Sequence, residues 1–81
     1  MRYAVLQSKL EIKQLIDEMK RDYRNLSKIL VPESVESTIK GSRILTIYRN
    51  LDPVMKIEAD NDELLGVFIR ELDSAKKAYS K

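Results

Sequence analysis

Eighty-one residues, 43% hydrophobic and 35% charged, make a chain large enough for one hydrophobic core and too small for two. It holds no His and no Cys, which removes disulfides, a thiolate nucleophile, the commonest general base and the usual zinc and transition-metal ligands. The net charge of +2 is spread as nine basic against six acidic residues up to Arg43 and six against seven after it, too weak an imbalance to announce a nucleic-acid binder.

A core this small is marginal, and without disulfides or metals a partner subunit is the expected reinforcement. No apolar run approaches the roughly 20 residues that cross a bilayer, and Met1-Arg2-Tyr3-Ala4-Val5-Leu6-Gln7 lacks the apolar stretch of a signal peptide, so no membrane partner is expected and the expected location is cytoplasmic.

Residues 2–6 are rich in strand formers and read as a strand. Ser8-Lys9-Leu10-Glu11 is a capping-box pattern that predicts a helix from residue 9. Apolar side chains then fall at Ile12, Ile16, Met19, Tyr23, Leu26 and Leu30, a heptad-like seam widened by Leu15 and Ile29, and no Gly or Pro intervenes before Pro32. The predicted helix therefore runs to about residue 30. At 1.5 Å per residue it spans about 33 Å, against about 20 Å for a six-residue strand, so its far end either frays or packs on something outside the domain.

Residues 32–38 are polar, begin with Pro and read as a loop. After Gly41-Ser42, residues 43–49 form a β-branched, aromatic strand whose buried face the pattern leaves open. Asn50-Leu51-Asp52-Pro53 has turn chemistry. The return strand, residues 54–59, alternates, with Met55, Ile57 and Ala59 on one face and Lys56 and Glu58 on the other. Asp60 is the cap candidate for a last helix that carries Leu65, Phe68, Leu72, Ala75 and Tyr79 on one stripe, flanked by Leu64, Val67 and Ile69. The order β-α-β-β-α predicts one domain over residues 1–81: a two-layer α+β fold with a three-stranded antiparallel sheet and both helices on one face.

Little chemistry survives inspection. Glu58, Asp60, Asp62 and Glu63 lack the alternation and central Gly of a calcium loop and read as helix-capping acids, so no metal is expected. Gly41 and Gly66 are the only glycines, too few for a phosphate-cradling loop, and no cofactor is expected. Gly66 costs its helix about 1 kcal/mol relative to Ala, which suggests tight packing inside the domain or close approach of a partner helix. Lys20, Arg21, Arg24 and Lys28 are interleaved with Asp17, Glu18 and Asp22 and read as a solvated face. The tyrosines read as core or interface, with Tyr48 beside Arg49 open to stacking on a base.

From residue 32 onward the chain resembles the CTAG/Pcc family. The residues that carry the likeness are Pro32-Glu33 in a loop, Ser42-Arg43-Ile44 opening a strand, Ile57-Glu58-Ala59-Asp60-Asn61 closing the return strand, and Leu64-Leu65 opening a helix. Members of that family are the small dimerising subunits of the KEOPS (EKC) complex, which makes threonylcarbamoyladenosine in tRNA next to the anticodon. The resemblance implies a non-catalytic subunit that dimerises with itself or a paralogue and docks through its helices on the ATP-dependent threonylcarbamoyltransferase subunit. Ile16, Met19, Tyr23 and Leu26 of the first helix, with Leu65, Phe68, Ile69 and Leu72 of the last, are then expected to serve core and interface jointly. Two other expectations stand beside it. One is a free-standing RNA-binding module that meets tRNA through Arg43, Arg49, Lys56, Lys76 and Lys77; the other is a homodimeric structural protein joined along the heptad seam.

Overall fold

The computed structural model describes residues 2–22, 26–31 and 35–79. In chain order its elements are β1 (Arg2–Leu6), α1 (Lys9–Asp22), a 3-10 turn (Leu26–Lys28), β2 (Ile29–Leu30), β3 (Glu36–Ser37), β4 (Arg43–Arg49), β5 (Asp52–Ala59) and α2 (Asp62–Tyr79).

α1 starts where the capping box places it. The Glu11 N–H donates to Ser8 Oγ at 3.3 Å, while the Glu11 carboxylate accepts from the Gln7 N–H at 3.2 Å and from the Ser8 hydroxyl at 3.1 Å. The helix buries Ile12, Leu15, Ile16 and Met19 and ends at Asp22, well short of residue 30. Tyr23 lies outside the described residues. Leu26 and Ile29 are fully buried, yet they reach the core from a 3-10 turn and a short strand. A continuous helix would carry these two residues past the end of the sheet; folding the chain back lets both bury. A helix of 14 residues is about 21 Å long, matched to the strands beneath it. The seam therefore does not outrun the sheet.

The predicted three-stranded antiparallel sheet is replaced by a mixed, five-stranded one of order β1-β5-β4-β2, with β3 also paired to β4. β1 runs parallel to β5 from Arg2↔Met55 to Leu6↔Ala59. β4 is antiparallel to β5, β2 and β3. The cause is parity: α1 carries the chain back across one face, so the next strand must start at the same end as β1 and run its way. Residues 36–37, expected in a loop, form β3; Pro32 to Ser34 lie outside the described residues.

Both helices lie on one sheet face, α1 over β1 and α2 over β5, and they touch each other. Leu6, Leu45, Ile47, Met55, Ile57 and Ala59 point from the sheet into a core completed by the helices, with Met19, Phe68 and Leu72 at its centre. The alternation read along residues 54–59 holds. On β4, Leu45 and Ile47 take the core side and Ile44 the other.

Two turns set the register. The β4–β5 turn is Asn50-Leu51, with Asn50 at φ 56°, and Asp52 and Pro53 already belong to β5. The register shifts between Ile47 and Tyr48, opposite Pro53, where a missing N–H is tolerated. Gly41, at φ 90°, closes the β3–β4 turn with its N–H on the Thr38 carbonyl at 3.0 Å.

The cap of α2 is Asn61 rather than Asp60: Asn61 Oδ1 accepts the Leu64 N–H at 2.9 Å. Asp60 is occupied otherwise, its N–H continuing the parallel ladder to the Leu6 carbonyl at 3.2 Å. One residue later Asp62 receives Arg43, with Nε–Oδ1 at 2.7 Å and Nη2–Oδ2 at 3.4 Å, tying the start of β4 to the first turn of the helix.

Candidate interaction surface

Two layers cover each other on one side only, so the domain presents the outer surface of the helices, the open face of the sheet, and a side where α2 overlooks β2. Each holds a concave or apolar surface.

On the outer surface, a groove runs between the helices, lined by Lys9, Lys13, Ile16, Asp17 and Lys20 of α1 and by Val67 and Glu71 of α2. Lys9 and Lys13 stand four residues apart in the opening turns of α1, where like charges repel across one helical turn and the positive end of the helix dipole opposes cations. Lys20 is matched by Asp17 at 3.8 Å. The groove thus combines an apolar floor with cations placed where the helix alone disfavours them.

Along the other side, a second groove separates α2 from the β2 edge, lined by Gly66, Ile69, Arg70, Asp73 and Lys76 against Leu30 and Val31. Gly66 is exposed, and a Cβ added there would meet no other part of the described residues within 4 Å. Of the two explanations expected for this glycine, tight packing inside the domain has no counterpart among the described residues. Asp73 is bonded to Lys77 at 3.3 Å.

The open sheet face carries Tyr3 and Val5 of β1, 52% and 43% exposed, beside half-buried Ile44, Thr46, Tyr48, Lys56 and Glu58. Tyr3 donates its hydroxyl to the Glu58 carboxylate. That hydrogen bond to a charged acceptor raises the phenol above its ordinary pKa, aided by desolvation and the negative charge of Glu58.

The eight apolar residues assigned jointly to core and interface are now divided. Met19, Leu26, Phe68 and Leu72 are fully buried, and Ile16 and Leu65 nearly so. Ile69 is half-buried and reaches the α2–β2 groove; Tyr23 lies outside the described residues. The basic residues named for RNA do not share a patch. Arg43 is clamped on Asp62 at the first turn of α2, while Lys76 and Lys77 lie in its last turn, about 20 Å away along the axis. Lys56 sits on the open sheet face, and Arg49 at the far end of β4.

The carboxylates once weighed as a metal site have separate tasks, Glu58 on Tyr3 and Asp62 on Arg43. Among the described residues no group of three or more acids is placed to hold a metal ion, and no helix is long and apolar enough to cross a membrane. Sequence reasoning gave Lys9, Lys13 and Glu71 no place in a surface, and it named Val67 only as flanking the apolar stripe of the last helix. The signal available was the pair of lysines in the opening turns of a capped helix, the wrong end for cations.

No protein-family model matches this chain, and no characterised protein or solved structure shows a significant similarity to it.

Proposed function

We propose that the chain is a non-catalytic dimerisation and scaffold subunit of the KEOPS complex, serving tRNA threonylcarbamoyladenosine modification in the cytoplasm by docking on the threonylcarbamoyltransferase subunit. The groove between α1 and α2 is the observation that carries this reading. The helices' inward faces are spent on the core, so docking through the helices must use their outward side. There Val67 and Ile16 offer apolar contact, and Lys9 and Lys13 ask for an acidic counterpart. Of the residues that carry the family likeness, Ser42–Ile44, Ile57–Asn61 and Leu64–Leu65 also support it by lying on one continuous unit, from β4 through β5 to the capped start of α2.

The dispersal of Arg43, Arg49, Lys56, Lys76 and Lys77 over both ends of α2 and both faces of the sheet gives the free-standing RNA-binding reading no comparable support. Light scattering after size exclusion, on the chain alone and then mixed with the threonylcarbamoyltransferase subunit of its own organism, tests the proposal. A stable complex is expected, lost on combining Lys13→Glu with Val67→Asp while the fold survives. A chain that ignores that subunit at tens of micromolar would overturn the reading, and steep salt-dependent binding of bare tRNA would replace it with the RNA module.

A further inference from the structure

We infer that the groove between α2 and β2 binds a small amphiphilic anion, a single apolar chain ending in one negative head, with the head on Lys76 and the chain laid over Ile69 into the notch at Gly66. This site stands apart from the scaffold reading above and requires no second protein.

Size and lining set the shape of the ligand. The groove offers about 460 Å³, within the range of small-ligand sites. It follows α2 from Gly66 to Lys76, about 15 Å of helix. Gly66, Ile69, Asp73 and Lys76 fall on one stripe at steps of three, four and three, and Leu30 and Val31 form the opposite wall. Leu30 is 48% exposed and Val31 and Ile69 are half-buried, so this apolar strip stays in contact with water in the free chain. A partner helix, about 10–12 Å across, needs a broader apolar face than one stripe and two facing residues; a single chain does not.

Gly66 keeps the strip open at one end. A glycine inside an 18-residue helix weakens it, and no other element among the described residues comes within 4 Å of the Cβ it lacks. The volume left free there belongs to the groove, and a larger side chain would occupy the place of the ligand's tail.

Charge selects the head. Asp73, the one acid on the described walls, is already bonded to Lys77 at 3.3 Å. Arg70 and Lys76 have no ion-pair partner among the described residues. Lys76 is the half-buried one of the two, at the end of the stripe away from Gly66, while Arg70 is exposed on the rim. A half-buried ammonium beside an apolar strip loses hydration without gaining a counter-charge, and an anionic head supplies one. Arg70 then adds a longer-range attraction from the rim.

The test uses the whole chain, isotope-labelled and followed by its amide resonances, titrated with sodium decanoate and separately with decyltrimethylammonium, an amphiphile of equal chain length and opposite charge. Decanoate is expected to saturate below about 1 mM and to shift the amides of Val31, Gly66, Ile69 and Lys76, while the cationic amphiphile does not saturate. Lys76→Glu is expected to weaken decanoate roughly tenfold or more and Arg70→Glu roughly two- to threefold. Gly66→Gln, which fills the notch with a better helix former, is expected to weaken it roughly tenfold while the melting temperature holds or rises. Equal binding of the two amphiphiles would overturn the inference, as would shifts centred on the α1–α2 groove, or a Lys76→Glu or Gly66→Gln chain that binds decanoate like the wild type. No transferase subunit is present in the measurement, so its failure leaves the scaffold reading untouched, and a chain that ignores that subunit leaves this site standing.

Discussion

Replacing Gly66 by Ala isolates one physical effect. The residue lies within α2, where Gly is disfavoured against Ala by about 1 kcal/mol because its unfolded backbone has more freedom to lose. Such a gain is normally offset by crowding, but here the added Cβ meets no other element among the described residues within 4 Å. The whole propensity difference should therefore appear as stability. For a domain of this size, about 1 kcal/mol raises the melting temperature by about 4–8 °C and the urea midpoint by about 0.3–1 M. Circular dichroism of Gly66→Ala beside the wild type reads it. A melting temperature unchanged or lowered would refute the premise that this position is open.

The same substitution at Gly41 should act oppositely, since an L side chain at φ 90° is strained whatever the space; Gly41→Ala is expected to lower stability by about 1–2 kcal/mol in urea titration. Asn61→Ala should cost about 1 kcal/mol, whereas Asp60→Ala should stay within about 0.5 kcal/mol, a comparison that checks by denaturation which residue caps α2. The Tyr3 phenol is raised in the folded chain, so its contribution is complete below the unfolded value of about 10 and is lost as pH climbs through the folded value. Urea unfolding at pH 9 and at pH 11 should show the wild type losing more stability across that interval than Tyr3→Phe.

Features set by a few neighbouring residues were legible in the sequence. The Ser8–Glu11 box places the start of α1 because donor and acceptor lie within one turn, and the alternation of Met55, Ile57 and Ala59 names the buried face of β5 because a strand repeats every second residue. What failed depends on distant partners. Leu26 and Ile29 continue the spacing of the α1 seam, but apolar spacing records burial alone, and a 3-10 turn followed by a strand buries them equally well. Nothing local in residues 2–6 says that β1 lies parallel to a strand more than fifty positions away. The cap of α2 was misplaced by one residue because Asp60 and Asn61 are both good caps, and the choice falls to the ladder that claims the Asp60 N–H. The α1–α2 groove could be suspected from Lys9 and Lys13, but Val67 and Glu71 join them only once the helices are laid side by side.

The pairing of Arg2 with Met55 has a consequence for how the protein is made. β1 leaves the ribosome well before β5, and its place beside β5 exists only after residue 59 has followed, seconds later at about 5–20 residues per second. Until then its backbone N–H and C=O groups have no ladder to join, and α1 has half a sheet to lie on. The β4–β5 hairpin, whose strands are separated by a two-residue turn, can close at once. Synthesis thus passes β1 before the hairpin while assembly starts at the hairpin, and residues 2–6, though made before it, are set in place after it, when the hairpin offers them its outer edge.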